Sequence, residues 1–218
     1  MGIKEERNID NVIDIMSVTA EQALQFLSPK LSAVKEIART LYANQKQSSF
    51  MDYLKGMAVY FISNSLTEEQ IYYYVKKMSD SDYAQTVTDI LDSVFFSRCK
   101  TCRLILGIIT GKLLLSDTLD YEDMVLIHAL RNLFDEELTY FVKYINMSEL
   151  SSKDTVIALS EYEPKDKVII EKLKNMNLLG SELQGFKFGP TLSFEVTFIS
   201  QRLFGYIRSF SLEKFMQI

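Results

Sequence analysis

The chain has 218 residues, enough to bury a hydrophobic core in one large domain or in a medium domain with a smaller one. Its composition is globular, with 47% hydrophobic and 24% charged residues, which excludes general disorder. A formal net charge of −5 argues against non-specific attraction to nucleic acid or anionic membranes, which are polyanions. With 8 Gly and 3 Pro the chain has few turn residues, so helix is the expected class rather than a β-sandwich or barrel.

Apolar residues recur at three- and four-residue steps through most of the chain, as they do on one face of an amphipathic helix. Such faces cover residues 9–27, 31–42, 50–61, 71–78, 84–95, 104–115 and 124–145. Ser48 or Ser49 is the expected N-cap of the third helix. Ser65 and Glu68 have the spacing of a capping box for the fourth. We therefore predict a multi-helix bundle over residues 1–148.

The pattern changes after Ser148, and residues 149–218 are predicted to form a small α+β module. Its expected elements are helices over Ser152–Tyr162 and Lys165–Leu179, strands over 186–188 and 194–198, and a closing helix from about Ser200 to Phe215. Apolar and polar residues alternate with period two in both strands, and Gly189-Pro190 lies between them, so the two strands are expected to form one β-hairpin. The predicted fold class is thus mainly α, a bundle followed by this module.

The segment Ile169–Gly180 resembles the end of the recognition helix in winged helix-turn-helix domains. A strand ending in Val196-Thr197 and a helix follow it, as in that family. The resemblance implies contacts with DNA or with protein, and it makes four lysines candidate contacts: Lys165, Lys167, Lys172 and Lys174. From Leu150 onward the chain has nine Lys and Arg residues and eight Asp and Glu residues. A DNA reader normally has a distinctly basic face, so a protein partner is favoured and nucleic acid is the alternative.

Cys99 and Cys102 lie one helical turn apart, the spacing of a redox pair or of half a zinc site. The chain has two cysteines and one histidine, His128, whereas a structural zinc site needs four ligands, so no metal is predicted. A thioredoxin-like site needs a βαβ unit before the pair, where helices are predicted. Packing as small apolar groups is the favoured interpretation, and a thiol oxidoreductase remains the second alternative.

Catalytic and cofactor-binding motifs are not found in the sequence. His128 has no Gly-x-Ser-x-Gly elbow to accompany it, and the acidic run at 135–137 does not match an EF-hand loop. Neither a P-loop nor a Rossmann glycine pattern occurs. We therefore predict that the protein is not an enzyme, has no cofactor and acts through a protein partner. Its 12 Tyr and 14 Phe are expected in the core and at interfaces, which leaves self-association open.

The N-terminus is charged and has no apolar segment of a signal peptide behind it, and the apolar stretch 104–115 is interrupted by Thr110, Gly111 and Lys112. Twelve helical residues span about 18 Å, short of a hydrocarbon core of about 30 Å. We predict a cytoplasmic protein with no membrane span.

The chain has a helical body, then the segments Arg103–Ile109 and Tyr121–Met124, and finally a winged end. In this order it resembles uncharacterised bacterial and prophage proteins of the abortive-infection alpha family. The resemblance implies a part in anti-phage defence or its counter and provides no catalytic residues. The leading interpretation is a non-enzymatic cytoplasmic interaction or regulatory protein. The first alternative is a DNA-binding transcription regulator that uses the C-terminal winged helix.

Overall fold

A computed structural model of the protein describes residues 47–78, 81–147, 156–159, 166–182 and 192–210. Over these ranges the chain is mainly helical, which confirms the predicted class. The helices there are α1 (Gln47–Ser63), α2 (Glu68–Lys77), α3 (Ser81–Phe96), α4 (Lys100–Ser116), α5 (Tyr121–Asn132), α6 (Asp135–Met147), α7 (Asp166–Asn175) and α8 (Phe198–Ser209). Two strands, β1 (Val156–Leu159) and β2 (Leu192–Glu195), pair antiparallel with Ile157 opposite Phe194.

The chain divides into two compact units. In the first unit the described residues are 47–78, 81–95 and 103–118, and in the second they are 96–102, 119–147, 156–159, 166–182 and 192–210. The predicted boundary between residues 148 and 149 falls inside the second unit, among residues that the structure does not describe. That boundary stays a prediction.

In the first unit α1 and α4 approach so closely that their backbones touch. A Cβ atom on Gly56 would overlap the Leu104 carbonyl group, and one on Gly107 would overlap the Tyr53 carbonyl oxygen. Glycine is therefore required at both positions for the two helices to pack. Within the described part of the chain, no helix is both long enough and apolar enough to cross a membrane.

Two of the predicted helix caps lie elsewhere in the structure. The capping box is at Thr67, whose hydroxyl accepts from the Gln70 N–H at 3.4 Å while the Gln70 side chain accepts from the Thr67 N–H at 2.9 Å. Ser65 cannot fill this role because its φ of 56° lies in the left-handed region, whereas an N-cap residue is extended. Ser48 and Ser49 lie within α1, so neither caps it.

The predicted helix Ser152–Tyr162 is wrong where the structure describes it, because residues 156–159 form β1. The segment Val-Ile-Ala-Leu gains backbone hydrogen bonds only by pairing with β2, a partner that local periodicity cannot reveal. The predicted strand 194–198 is displaced toward the C-terminus, because β2 begins at Leu192 and ends at Glu195. Thr197 instead caps α8, since its hydroxyl accepts from the Ser200 N–H at 3.0 Å.

Several other predictions fall outside the described residues. These are the helices over 9–27 and 31–42 and the strand over 186–188. The predicted hairpin is therefore not confirmed. An isolated antiparallel bridge between Glu182 and Phe194 gives β2 a second neighbour besides β1.

Candidate functional site

Cys99 and Cys102 lie at the start of α4, and both side chains are fully buried. The Cys102 N–H donates to the Cys99 sulfur at 3.2 Å, so the Cys99 thiol satisfies one of the amides at the helix N-terminus. Thiol–disulfide exchange needs access of a second sulfur to the attacking one. Burial withholds both sulfurs from a substrate and favours packing, and the redox pair stays an untested prediction.

Three of the four lysines predicted as partner contacts lie within the described residues, all on α7. Lys167 is exposed. The Lys174 ammonium lies 2.9 Å from the Glu171 carboxylate on the same helix. Lys165 lies outside the described residues. The lysines of α7 are thus interspersed with Asp166 and Glu171, and they do not form a continuous basic row.

Lys172 is held in a fixed position within the second unit. Its Nζ atom lies 2.5 Å and 2.6 Å from the two carboxylate oxygens of Glu137 on α6. The same Nζ lies 4.0 Å from the centre of the Phe134 ring. A phosphate group would have to displace Glu137 to reach this ammonium, so Lys172 is poorly placed as a DNA contact.

Two exposed phenylalanine rings carry cations on their faces. Phe96 is 59% exposed and Phe134 is 42% exposed. The Arg131 guanidinium lies 4.4 Å from the centre of the Phe96 ring, and the Arg98 guanidinium lies 5.5 Å from that of Phe134. Together with Lys172, these residues form what we call the cation–π patch.

Hydrogen bonds fix the backbone on both sides of the cation–π patch. The buried Ser97 hydroxyl donates to the Leu130 carbonyl at 3.2 Å, which holds the turn after α3 against the end of α5. The Glu137 carboxylate accepts from the Phe134 N–H at 2.9 Å as well as from Lys172. The patch is therefore positioned before any partner arrives.

The charges around the cation–π patch balance. Arg98, Arg131 and Lys172 provide three positive charges, and the acidic run 135–137 directly after Phe134 provides three negative ones. A polyanion gains little from such a surface, because its binding depends on net positive charge. A protein partner can use both signs at the rim and the aromatic rings at the centre.

A groove of about 550 Å³ lies in the second unit, where α8 packs against α5. The residues that line it include Glu122, Phe198, Arg202, Gly205, Tyr206 and Phe210. Phe198 is 78% exposed at one end, while Tyr206 is buried. The groove is thus an open, partly aromatic depression with charged groups along one side.

Arg202 provides the positive charge beside this groove and faces three carboxylates of α5 and its N-cap. Its distances are 2.8 Å to Asp120, 3.5 Å to Asp123 and 3.8 Å to Glu122. Asp123 is fully buried and accepts the Tyr206 hydroxyl at 2.8 Å. Burial alone lowers the pKa of Arg202, but the Asp123 and Asp120 charges outweigh it and raise that pKa, so the guanidinium stays charged.

The N-cap position of α5 explains part of this arrangement. Asp120 occupies it, yet its side chain does not cap the helix. The carboxylate accepts from Arg202 instead. The macrodipole of α5 still favours negative charge at this end.

A second charged cluster lies in the first unit. The Lys77 ammonium is 3.0 Å from the Asp117 carboxylate, and the Tyr83 hydroxyl donates to the same oxygen at 2.5 Å. Hydrogen bonds from Tyr83 and then from Lys77 lower the pKa of Asp117. The cluster ties α2, α3 and the turn after α4 together, and all three groups are exposed enough for water to reach them.

Sequence reasoning missed the groove residues. The local sequence does not connect Asp120 with Arg202, which lies 82 residues further along the chain. The one local signal was Gly205, an isolated glycine inside a helical pattern, which often marks a close approach. Of the predicted contacts, Lys172 alone belongs to the cation–π patch.

Among the described residues, three or more His, Cys, Asp or Glu side chains do not converge on a position that could hold a metal ion. His128, the single histidine, is exposed on α5. Comparison with protein-family models finds no match, and comparisons with curated proteins and with solved structures find none that is significant. An account of function therefore depends on the residues and geometry described above.

Proposed function

We propose that the protein is a non-enzymatic interaction or regulatory protein that contacts its partner through the second unit. The cation–π patch is the observation that carries this proposal. Aromatic and arginine side chains are enriched among the residues that dominate binding energy at interfaces, and here both types occur together and exposed. Leaving two phenylalanine rings in water is unfavourable unless another surface covers them.

The distribution of exposed hydrophobic side chains supports the same proposal. Of the eight exposed large hydrophobic residues in the described ranges, six belong to the second unit. They are Phe96, Tyr121, Met124, Phe134, Val168 and Phe198. The backbone hydrogen bonds around Phe96 and Phe134 also reduce the ordering cost that a partner would meet on binding.

A role in anti-phage defence or its counter rests on the sequence resemblance alone, and so does regulation in that setting. The cytoplasmic location rests on the sequence as well. Contact through the cation–π patch does not depend on either proposal.

The test is affinity purification of the tagged full-length chain from its native host, followed by mass spectrometry. A Phe96→Ser/Phe134→Ser double variant is expected to lose a stoichiometric protein partner that the unmodified chain retains. The matched control is Tyr72→Ser/Tyr73→Ser, which removes two exposed rings from α2. If the same proteins accompany all three chains, the patch is not the contact surface. Thermal unfolding of each variant establishes that it is folded.

DNA binding through a winged helix is the second candidate. The observation in its favour is that β2 has β1 on one side and the bridge to Glu182 on the other, the arrangement that a wing would extend. The ion pairs of Lys172 and Lys174 count against it, because they occupy two of the expected phosphate contacts.

Fluorescence anisotropy with a labelled DNA duplex distinguishes this candidate. A regulator would bind saturably and with strong salt dependence, and Lys172→Ala would weaken binding. Glu137→Gln breaks the same ion pair but keeps the lysine, so it should preserve or strengthen binding if Lys172 contacts phosphate. Loss of binding in both variants would indicate a structural role for the pair, and absence of duplex binding would exclude the candidate.

A further inference from the structure

Gly205 leaves an open notch in the middle of α8. Glycine destabilises a helix interior, and the close approach of another group to the backbone is one reason for its presence there. The other described helical glycines, Gly56, Gly107 and Gly111, meet that description, since a Cβ atom on any of them would come to 2.9 Å or closer to a neighbouring atom. A Cβ atom on Gly205 would meet no atom of the described chain within 4 Å. Among the described residues, the space above Gly205 is therefore unoccupied.

The notch lies on a continuous face of α8. Phe198, Arg202, Gly205 and Ser209 follow one another at steps of three or four residues, which places them on one side of the helix. The eleven steps from Phe198 to Ser209 extend about 17 Å, or three turns. A large exposed ring thus stands at one end of this face, and two small residues in its second half let a second backbone come close.

The rim of the groove carries a net negative charge. Two exposed carboxylates, those of Asp120 and Glu122, contribute two negative charges against the single positive charge of Arg202, while Asp123 is fully buried and adds no exposed charge. The side chains of Asp120 and Glu122 are 48% and 40% exposed. Glu122 lies 3.8 Å from Arg202, beyond hydrogen-bonding distance, so its oxygens can still accept from an incoming cation.

From these three observations we infer that the groove between α5 and α8 is a docking site for a cationic amphipathic helix of a partner protein. The backbone of that helix crosses α8 at Gly205. One of its large apolar side chains packs against Phe198, and a Lys or Arg pairs with Glu122. This inference deepens the proposed function and rests on it, because it adds a second contact surface to the same unit.

Charge also decides against the simplest alternative occupant, a second copy of the chain. A two-fold axis through Gly205 would place two acidic rims against each other. Like charges facing each other across an interface cost binding energy. An anionic partner meets the same repulsion, whereas a cationic helix gains from the charges already present.

The experiment measures fluorescence anisotropy of two labelled synthetic peptides with the full chain. Both peptides are about 15 residues long, enough for helix to form on binding. They share the same Leu positions, and one carries Lys where the other carries Glu. We expect saturable binding of the Lys peptide and none of the Glu peptide.

Two substitutions in the groove and one outside it locate the binding site. Gly205→Leu fills the notch and should weaken binding of the Lys peptide at least about tenfold. Its thermal stability should be no lower than that of the unmodified chain, since leucine is the better helix former and meets open space. Glu122→Gln should weaken binding about threefold to tenfold. Glu136→Gln removes an exposed carboxylate of α6 and should leave the affinity unchanged.

Several results would overturn the inference. They are absence of saturable binding by the Lys peptide, equal affinity for both peptides, and unchanged affinity in Gly205→Leu. Self-association that Gly205→Leu abolishes in analytical ultracentrifugation would instead assign the groove to a second copy. The test of the proposed function alters Phe96 and Phe134 and leaves the groove intact, so failure of one proposal is distinguishable from failure of the other.

Discussion

Asp123 and Glu122 are neighbours on α5 and both face Arg202, but Asp123 is fully buried and Glu122 is 40% exposed. Asp123→Ala is expected to lower the free energy of unfolding by about 2 kcal/mol, because it removes the carboxylate that accepts from the buried Tyr206 hydroxyl, while Arg202 keeps its ion pair with Asp120. Glu122→Ala should cost less than about 1 kcal/mol, since water screens an exposed ion pair. Urea denaturation of both variants measures the difference, and equal losses would contradict this account.

Tyr83 provides the largest contribution to the lowered pKa of Asp117. Tyr83→Phe removes the hydroxyl that donates to this carboxylate, so we expect the pKa of Asp117 to rise toward its ordinary value of 3.8. An NMR titration of the carboxyl carbon follows the change directly. A pKa that does not move would mean that Lys77 alone stabilises the carboxylate.

The same pair has a consequence for acid stability. The pKa of Asp117 is lower in the folded protein than in the unfolded chain, so its stabilising contribution is present above the unfolded value. That contribution is lost as the pH falls through the folded pKa. Denaturation of Tyr83→Phe measured across the acid range should therefore show a smaller loss of stability from this group than the unmodified chain shows.

Gly107 and Gly205 each lie within a helix, and alanine at these two positions is expected to change the free energy of unfolding in opposite directions. Gly107→Ala places a methyl group against the Tyr53 backbone, which cannot move unless α1 and α4 separate. We expect it to lower the free energy of unfolding by about 2 kcal/mol or more. Gly205→Ala meets open space and should raise it by about 0.5–1 kcal/mol, because alanine is the better helix former. Thermal denaturation compares the two, and destabilisation by Gly205→Ala would mean that its notch is filled within the chain.

Elements whose partners lie far away in the sequence were the hardest to predict. The segment 156–159 lies within a predicted helix, yet it pairs with residues 192–195. The capping box after α1 lies two residues beyond its predicted position for a different, local reason. The turn there puts Ser65 in a left-handed conformation, so Thr67 is the first residue that can cap α2.

The net charge of −5 should influence association of the whole molecule with a cationic partner. Raising the ionic strength from about 0.1 M to about 1 M shortens the Debye length from about 10 Å to about 3 Å. We expect the association rate of the Lys peptide to fall accordingly, while its dissociation rate changes little. Stopped-flow fluorescence separates the two rates. Binding that is independent of salt would mean that the groove recognises only apolar groups.

The helical class of this protein was determined by the sequence itself, because apolar periodicity and the scarcity of Gly and Pro act between residues a few positions apart. The interpretation of Cys99 and Cys102 as packing residues agrees with the burial of both side chains, although burial itself depends on the tertiary structure. The predicted contacts were less complete. The sequence shows that the lysines on α7 are charged. It does not show whether a carboxylate from another part of the chain pairs with them.

Only the tertiary structure decided which charges are paired and which surfaces stay open. Lys172 meets Glu137, and Arg202 meets Asp120, across 35 and 82 residues of chain. The two phenylalanines of the cation–π patch come from the end of α3 and from the connection between α5 and α6, and no other described residue covers Gly205. Pairing and exposure depend on which distant residues meet in space, and hydrophobic periodicity within one segment carries no information about that.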